Sequence, residues 1–339
     1  MRHDTKLTAL LLLLASIHGV AILAGFFSPY SYREQNREVP LAAPTKLQWV
    51  DGSGAWHLRP WVESPIAGGA LVPLRFFVRG SSYSVLGLFG SDLHLFGVDE
   101  PHRVFLLGTD ALGRDYFSRL VVGAQVSLSA GLVAAALALT TALSLGALAG
   151  YFGGFIDSAI MRLVDVFLSL PWIYMLLAAR AFLPLDMAPG TAFFVIVVLL
   201  GLLGWPAPTR IVRGIVMSAR ARDYVEASRG AGAGHFHLLW RHILPQAQSA
   251  IAVQATLLVP AYMLAEVTLS YVGLGVGEPL PSWGNMLADL PRGSLLGAEP
   301  WTFAPAFLLV GVTWLYHSVL SSLGGHHSRG SWGRDARLT

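Results

Sequence analysis

The chain has 339 residues, 54% of them hydrophobic and only 13% charged, about half the charge of an ordinary soluble domain. So little charge cannot cover a water-facing surface of normal polarity, so the chain as a whole is not a soluble module. A net charge of +3 in such a composition points to Lys and Arg held at one membrane face, not to nucleic acid. The absence of cysteine excludes disulfides and cysteine-ligated metal.

Crossing a hydrocarbon core of about 30 Å takes roughly 20 helical residues, and six stretches qualify. The first is Leu7 to Phe27. Arg2 and Lys6 before it would suit a cleaved signal peptide, but the run exceeds an h-region of about 7–15 residues and no small-residue cleavage site follows. A retained anchor is expected. The second is Val122 to Tyr151, broken at Gly150-Tyr-Phe-Gly-Gly154. The third runs from Ile160 to Leu183, closed by Pro184, and the fourth from Thr191 to Ile211. The fifth is Ala250 to Val272, and the sixth is Phe303 to Leu323, ended by Gly324-Gly325. Pro171, Pro206 and Pro260 within spans are tolerable in a bundle where neighbouring helices satisfy the freed backbone.

Lys and Arg set the orientation. With the N-terminus inside, Arg2, Lys6, Arg162, the six arginines from Arg210 to Arg241, and Arg329, Arg334 and Arg337 are all cytoplasmic. The two short outer connections, around Asp186 and from Gly273 to Thr302, then hold only Arg292. The nine Lys/Arg between Ser28 and Val121 lie in a segment long enough to translocate regardless of charge. Both termini are therefore expected in the cytoplasm. Between residues 28 and 105, strand-like runs such as Pro73 to Arg79 and His94 to Val98 alternate with Gly, Ser and Pro clusters. With Trp49, Trp56, Trp61, Phe76, Phe77 and Phe96, this segment is too apolar for a solvated linker and is expected to be a small β-rich extracytoplasmic insertion.

The polar segment between the fourth and fifth spans contains Glu226-Ala227-Ser228, then Gly232, then Ile243-Leu244-Pro245. Helix-forming residues up to Arg229 give way to a glycine break. Phe236, Leu239, Trp240 and Ile243 follow at i, i+3, i+4, i+7, the spacing of a short amphipathic helix. Such a helix suits a groove on a soluble partner or the inner leaflet, and periodicity alone does not separate the two. The pattern resembles the EAA loop of ABC importer permeases. The resemblance implies a coupling helix docked on a separate ATPase subunit, with Tyr224, Glu226, Ala227, Ser228, Gly232, Phe236, Leu239 and Pro245 as its residues and the coupling loop at 213–246.

Leu107-Gly-Thr-Asp-Ala-Leu-Gly-Arg-Asp-Tyr-Phe-Ser-Arg-Leu120 also carries a resemblance, as do Ala149-Gly-Tyr-Phe-Gly-Gly154 with Met161 to Asp165. Leu269 to Gly275 with Pro281-Ser-Trp-Gly-Asn-Met286 completes it. Together, over residues 105–325, they are similar to the C-type subunit of the oligopeptide/dipeptide/nickel permease family. This implies an all-α polytopic protein of the type I importer fold, with a tip and first helix at 1–27, the insertion at 28–105, the permease domain at 106–325 and a tail at 326–339. It further implies a multi-pass protein of the bacterial inner membrane that forms half of a pathway for peptides or similar small solutes. Its expected partners are a second permease, two ATPase subunits and an extracytoplasmic solute-binding protein. The chain itself would hold no cofactor and catalyse nothing, ATP being bound by the partner. The insertion is longer than the family resemblance leads one to expect.

Other residues have plainer readings. Glu266, inside the fifth span, is a costly intramembrane carboxylate that either lines the solute path or makes a buried structural hydrogen bond. Arg180 and Asp186 could meet solute termini, although a snorkelling arginine accounts for the first. Arg162 and Asp165 are expected to pair at i, i+3, and Thr109-Asp110 to cap the helix entering the second span. His235 with His237, and His326 with His327, fall short of a metal site. No Walker A, G-x-S-x-G or H-E-x-x-H pattern is present. A secondary transporter would show paired broken helices and several mid-span carboxylates, and a membrane enzyme a convergent acid–base set.

Overall fold

The computed structural model describes residues 2–50, 54–66, 69–85, 87–182, 184, 187–290 and 299–335. Helix α1 (Arg2–Ile22) and the single turn α2 (Ala24–Phe27) bring the chain to the insertion. Helix α3 (Tyr116–Phe152) then runs for 37 residues, about 55 Å at 1.5 Å per residue. It is the axis of the molecule. Its first turns meet the insertion, where Phe117 packs on Phe96 at 5.8 Å between ring centroids. Its last turn meets the 223–247 segment, where the Tyr151 hydroxyl lies 2.8 Å from His235 Nδ1. The insertion and the loop therefore occupy opposite ends of one helix longer than a bilayer core.

Four helices, Thr5–Ile22, Tyr116–Phe152, His235–Tyr271 and Pro300–Leu323, are long and apolar enough to cross a membrane. The count among the described residues rises to six if two bent pairs are each one span. One pair is α4 (Gly154–Ser169) with α5 (Trp172–Ala181), bent by 83°; the other is α6 (Pro189–Gly204) with α7 (Pro206–Arg220), bent by 43°. The third expected span is thus not one helix. Leu170 is extended, at ψ 133, as expected of a residue before proline, and Pro171 opens α5. The helices pack on α3 through small residues. A Cβ on Gly131 would lie 2.6 Å from the Val259 carbonyl of α10 (Gln248–Tyr271), and one on Gly146 2.9 Å from the Thr209 carbonyl of α7. Where apolar burial gives no preference between helix and lipid, close backbone approach supplies the contact. Large side chains such as Phe155, Phe194, Phe307 and Trp314 point outward, exposed at 87%, 66%, 72% and 66%, as lipid-facing residues should be.

The insertion is β-rich. Strands β1 (Leu47–Val50), β2 (Trp56–Glu63) and β3 (Leu71–Pro73) form an antiparallel sheet, and β4 (Arg75–Val85) pairs with β5 (Phe89–Gly97) in a hairpin. Its core is thin: Val62, Leu74, Phe96 and Val104 are buried, while Trp56 and Phe77 stay exposed at 67% and 63%.

Several expectations need correcting. Thr109 and Asp110 do not cap α3. Thr109 Oγ1 bridges the Val39 carbonyl and the Ala42 amide, and Asp110 accepts from Arg114. The cap is Asp115, which accepts from the Ser118 amide at 2.9 Å. Asp165 pairs with Arg210 of α7 and not with Arg162. Helix α12 (Ala304–Asp335) continues through Gly324-Gly325 and does not end there. Asp186 lies outside the described residues.

Candidate functional site

The 223–247 segment is built on a base of side chains that hold it against the end of α3. Val225, Leu238 and Ile243 are fully buried and cluster with Tyr151 of α3 and with Val212, Val216 and Ala219 of α7. Polar ties fix the same base. Arg220 donates to the Tyr151 carbonyl at 2.5 Å, and Arg213 Nη2 donates to Asp157 at 2.5 Å, binding α7 to α4. Nothing in the sequence flags Arg213 and Asp157 as partners, because they stand 56 residues apart.

On that base stands a short helix, α8 (Asp223–Gly230), whose first turn carries Asp223 and Glu226 and whose last carries Arg229. This charge order complements the helix dipole. The chain breaks at Gly232, φ +90, a conformation that glycine reaches without strain. It then turns through α9 (His235–His237), a π-helical turn at Leu238–Ile243 and a 3₁₀ turn at Leu244–Ala247 that delivers Pro245 and the chain into α10. The π turn adds a residue to the helical count and splits the expected apolar face. Leu238 and Ile243 point inward, with Leu239 half-buried beside them, whereas Phe236 and Trp240 point out at 75% and 57% exposure with ring centroids 5.9 Å apart. Tyr224, Glu226 and Ala227 are exposed and Ser228 is half-buried, its hydroxyl 3.4 Å from His242. Eight residues singled out from the sequence thus share one end of the molecule. Tyr224, Phe236 and Trp240 give that surface a ring-rich, uncovered character.

Glu266 and Arg180 belong to a different place. Glu266 has no exposed surface, and its Oε1 accepts a 2.7 Å hydrogen bond from Ser270, whose hydroxyl also accepts from the Val276 amide. Arg180 is 2% exposed and donates to the Leu274 carbonyl at 2.7 Å and the Pro184 carbonyl at 3.1 Å. It therefore does not snorkel. Both residues grip the turn after α10, a convergence that their 86-residue separation hides. Nearby, Glu278 bridges Arg114 and Arg119, each at 2.7 Å, and Asp110 closes the cluster from the other side. Burial works to raise the Glu278 carboxyl, yet Arg119 and Arg114 together hold it below the ordinary carboxylate range. Among the described residues no group of three His, Asp or Glu could hold a metal ion.

A bundle with polar ties at its helix breaks, and an exposed loop fixed to one end, defines a multi-pass membrane protein. Residues 142–330 match the family of the binding-protein-dependent transport system inner membrane component, and the chain belongs to that family. It is 41% identical over 211 residues to the dipeptide transport system permease protein DppC of Bacillus subtilis, covering 62% of this chain and 63% of that one. It is 39% identical over 226 residues to the oligopeptide transport system permease protein OppC of the same organism, covering 66% and 69%. The chain thus spans just under two thirds of the first of these relatives. Among solved structures, the inward-facing MetNI methionine ABC transporter aligns at 20% identity and a TM-score of 0.46, over 60% of this chain and 95% of that one.

Proposed function

We propose that this chain is one permease subunit of an ATP-driven importer of the bacterial inner membrane, carrying peptides or chemically similar small solutes. In this reading it forms half of the pathway with a second permease. Two ATPase subunits bind its cytoplasmic face, and a solute-binding protein delivers from the insertion's side. Both termini lie inside, with the 223–247 loop.

The observation that carries the proposal is the mechanical character of the loop. Its base is tied to α3 and α7, and α7 in turn to α4, so a pull on α8 is transmitted to the bundle, and its tip offers uncovered aromatic rings to a groove. Glu266 and Arg180 shape the other end by fixing the 273–278 turn where the pathway would open. A coupled secondary transporter would call for several mid-span carboxylates, whereas the fifth span holds Glu266 alone, with one oxygen bonded to Ser270 and the other buried without a partner. The test is ATP hydrolysis by the full complex reconstituted in vesicles, stimulated by binding protein and dipeptide. Phe236→Asp leaves a charge unpaired in a closed interface, a penalty of about 3–5 kcal/mol. The variant should insert normally, since the side chain is exposed, and lose nearly all stimulation. Full stimulation would count against docking at this loop.

A further inference from the structure

A cavity of about 390 Å³ lies between α2, the β4–β5 hairpin and the first turns of α3. Its lining residues, Leu280 excepted, lie outside the stretch that matches the family, residues 142–330. What turns into it is mostly hydrogen-bond donors. Ser28, at 3% exposure, lines it with a hydroxyl that is buried and has no partner. Ser82 and Ser84 of β4 add two hydroxyls at its rim. Arg33 stacks over the Tyr32 ring at 5.3 Å and donates from Nε to the Tyr32 hydroxyl. Among the described residues no carboxylate pairs with Arg33, and none lines the cavity. His94 stands among the nearby carbonyls, with those of Gly25 and Ser28 facing Nδ1 and that of Ser81 2.9 Å from Nε2; a neutral ring donates to one side only, an imidazolium to both.

One cation, several hydroxyls and no carboxylate select an anion. Planar guanidinium donors suit phosphate oxygens in particular. The position favours a lipid source. The cavity opens just beyond the apolar run of α1, at headgroup level if α1 spans the bilayer. Val20, Ile22 and Leu23 below it are 39%, 41% and 42% exposed, a surface along which an acyl chain can lie. We propose that this cavity seats the phosphate of an anionic phospholipid headgroup in the leaflet on the insertion's side. The site depends on α1 crossing the membrane and not on the transport reading.

The test is a thermal-shift titration of the full chain in detergent with phosphatidylglycerol, phosphatidylcholine or inorganic phosphate. Phosphatidylglycerol should raise Tm, and Arg33→Gln should weaken its apparent affinity about tenfold, the loss expected for a charge-assisted hydrogen bond. Arg37→Gln, an exposed arginine outside the cavity, should leave it unchanged. An Arg33-dependent shift of equal size with inorganic phosphate keeps the oxyanion site and assigns it to soluble phosphate. Equal responses to phosphatidylcholine and phosphatidylglycerol, or responses that Arg33→Gln does not alter, overturn the proposal. So does the absence of any shift.

Discussion

Asp115 concentrates in one residue the tension between capping and burial. Its Oδ2 accepts from the Ser118 amide and hydroxyl, at 2.9 and 2.5 Å, while Oδ1 is buried with no partner. Burial pushes the carboxyl up to about 7 against the opposing pull of the Ser118 bonds. A folded-state value above the unfolded one of about 3.9 means the folded state holds the proton more tightly. The cap is therefore fully compatible with folding at low pH, and stability is lost as pH rises from the unfolded value through about 7. Asn keeps an oxygen for the Ser118 amide and cannot ionise. Asp115→Asn should raise the Tm of the purified chain more at pH 8 than at pH 5; an equal effect at both would show that the buried charge is not the cause. That the cap is Asp115 and not Asp110 was beyond local reading, because both acids precede the apolar run at workable spacing. What decides is the Thr109 hydroxyl, drawn away to Val39 and Ala42 across 67–70 residues of chain.

At the scale of elements, the seam between α3 and α7 holds the base of the 223–247 segment. A Cβ on Gly150 would sit 2.7 Å from the Arg213 carbonyl, whereas one on Gly214, on the same helix as Arg213, would meet nothing within 4 Å. Gly150→Ala should thus lower stability by about 1–3 kcal/mol, the usual cost of overpacking, and loosen the neighbouring Arg213–Asp157 tie. Gly214→Ala should be neutral or slightly stabilising, since it adds helix propensity without a clash. A matched pair of Tm measurements decides it, and equal effects would mean the seam is not tight. The helices themselves were legible from apolar runs and glycines, as was the β character of the insertion from alternation around Phe76 and Phe96. The break at Pro171 was visible as a proline, but its 83° bend was not, because bend angle is set by what each half packs against. The face of the 235–243 segment was misjudged for a related reason. Periodicity assumes 3.6 residues per turn, and the π turn at Leu238–Ile243 rotates Ile243 away from Phe236 and Trp240.

For the whole molecule, a helix of about 55 Å separates two polar ends with different work. One end holds the thin-cored insertion and the Arg114–Glu278–Arg119 cluster; the other holds the anchored loop with its uncovered rings. The proposed function rests on this division, since an importer subunit would receive solute at one face and force at the other. The chain has no cysteine, so a single one placed on each end gives a clean comparison. Ala227 and Glu38 are both exposed. In the assembled complex within sealed membranes, a photo-cross-linker at Ala227→Cys should capture the ATPase subunit, and the same probe at Glu38→Cys should not. Capture from Glu38→Cys, or none from Ala227→Cys while the complex remains intact, would overturn the assignment of the two ends.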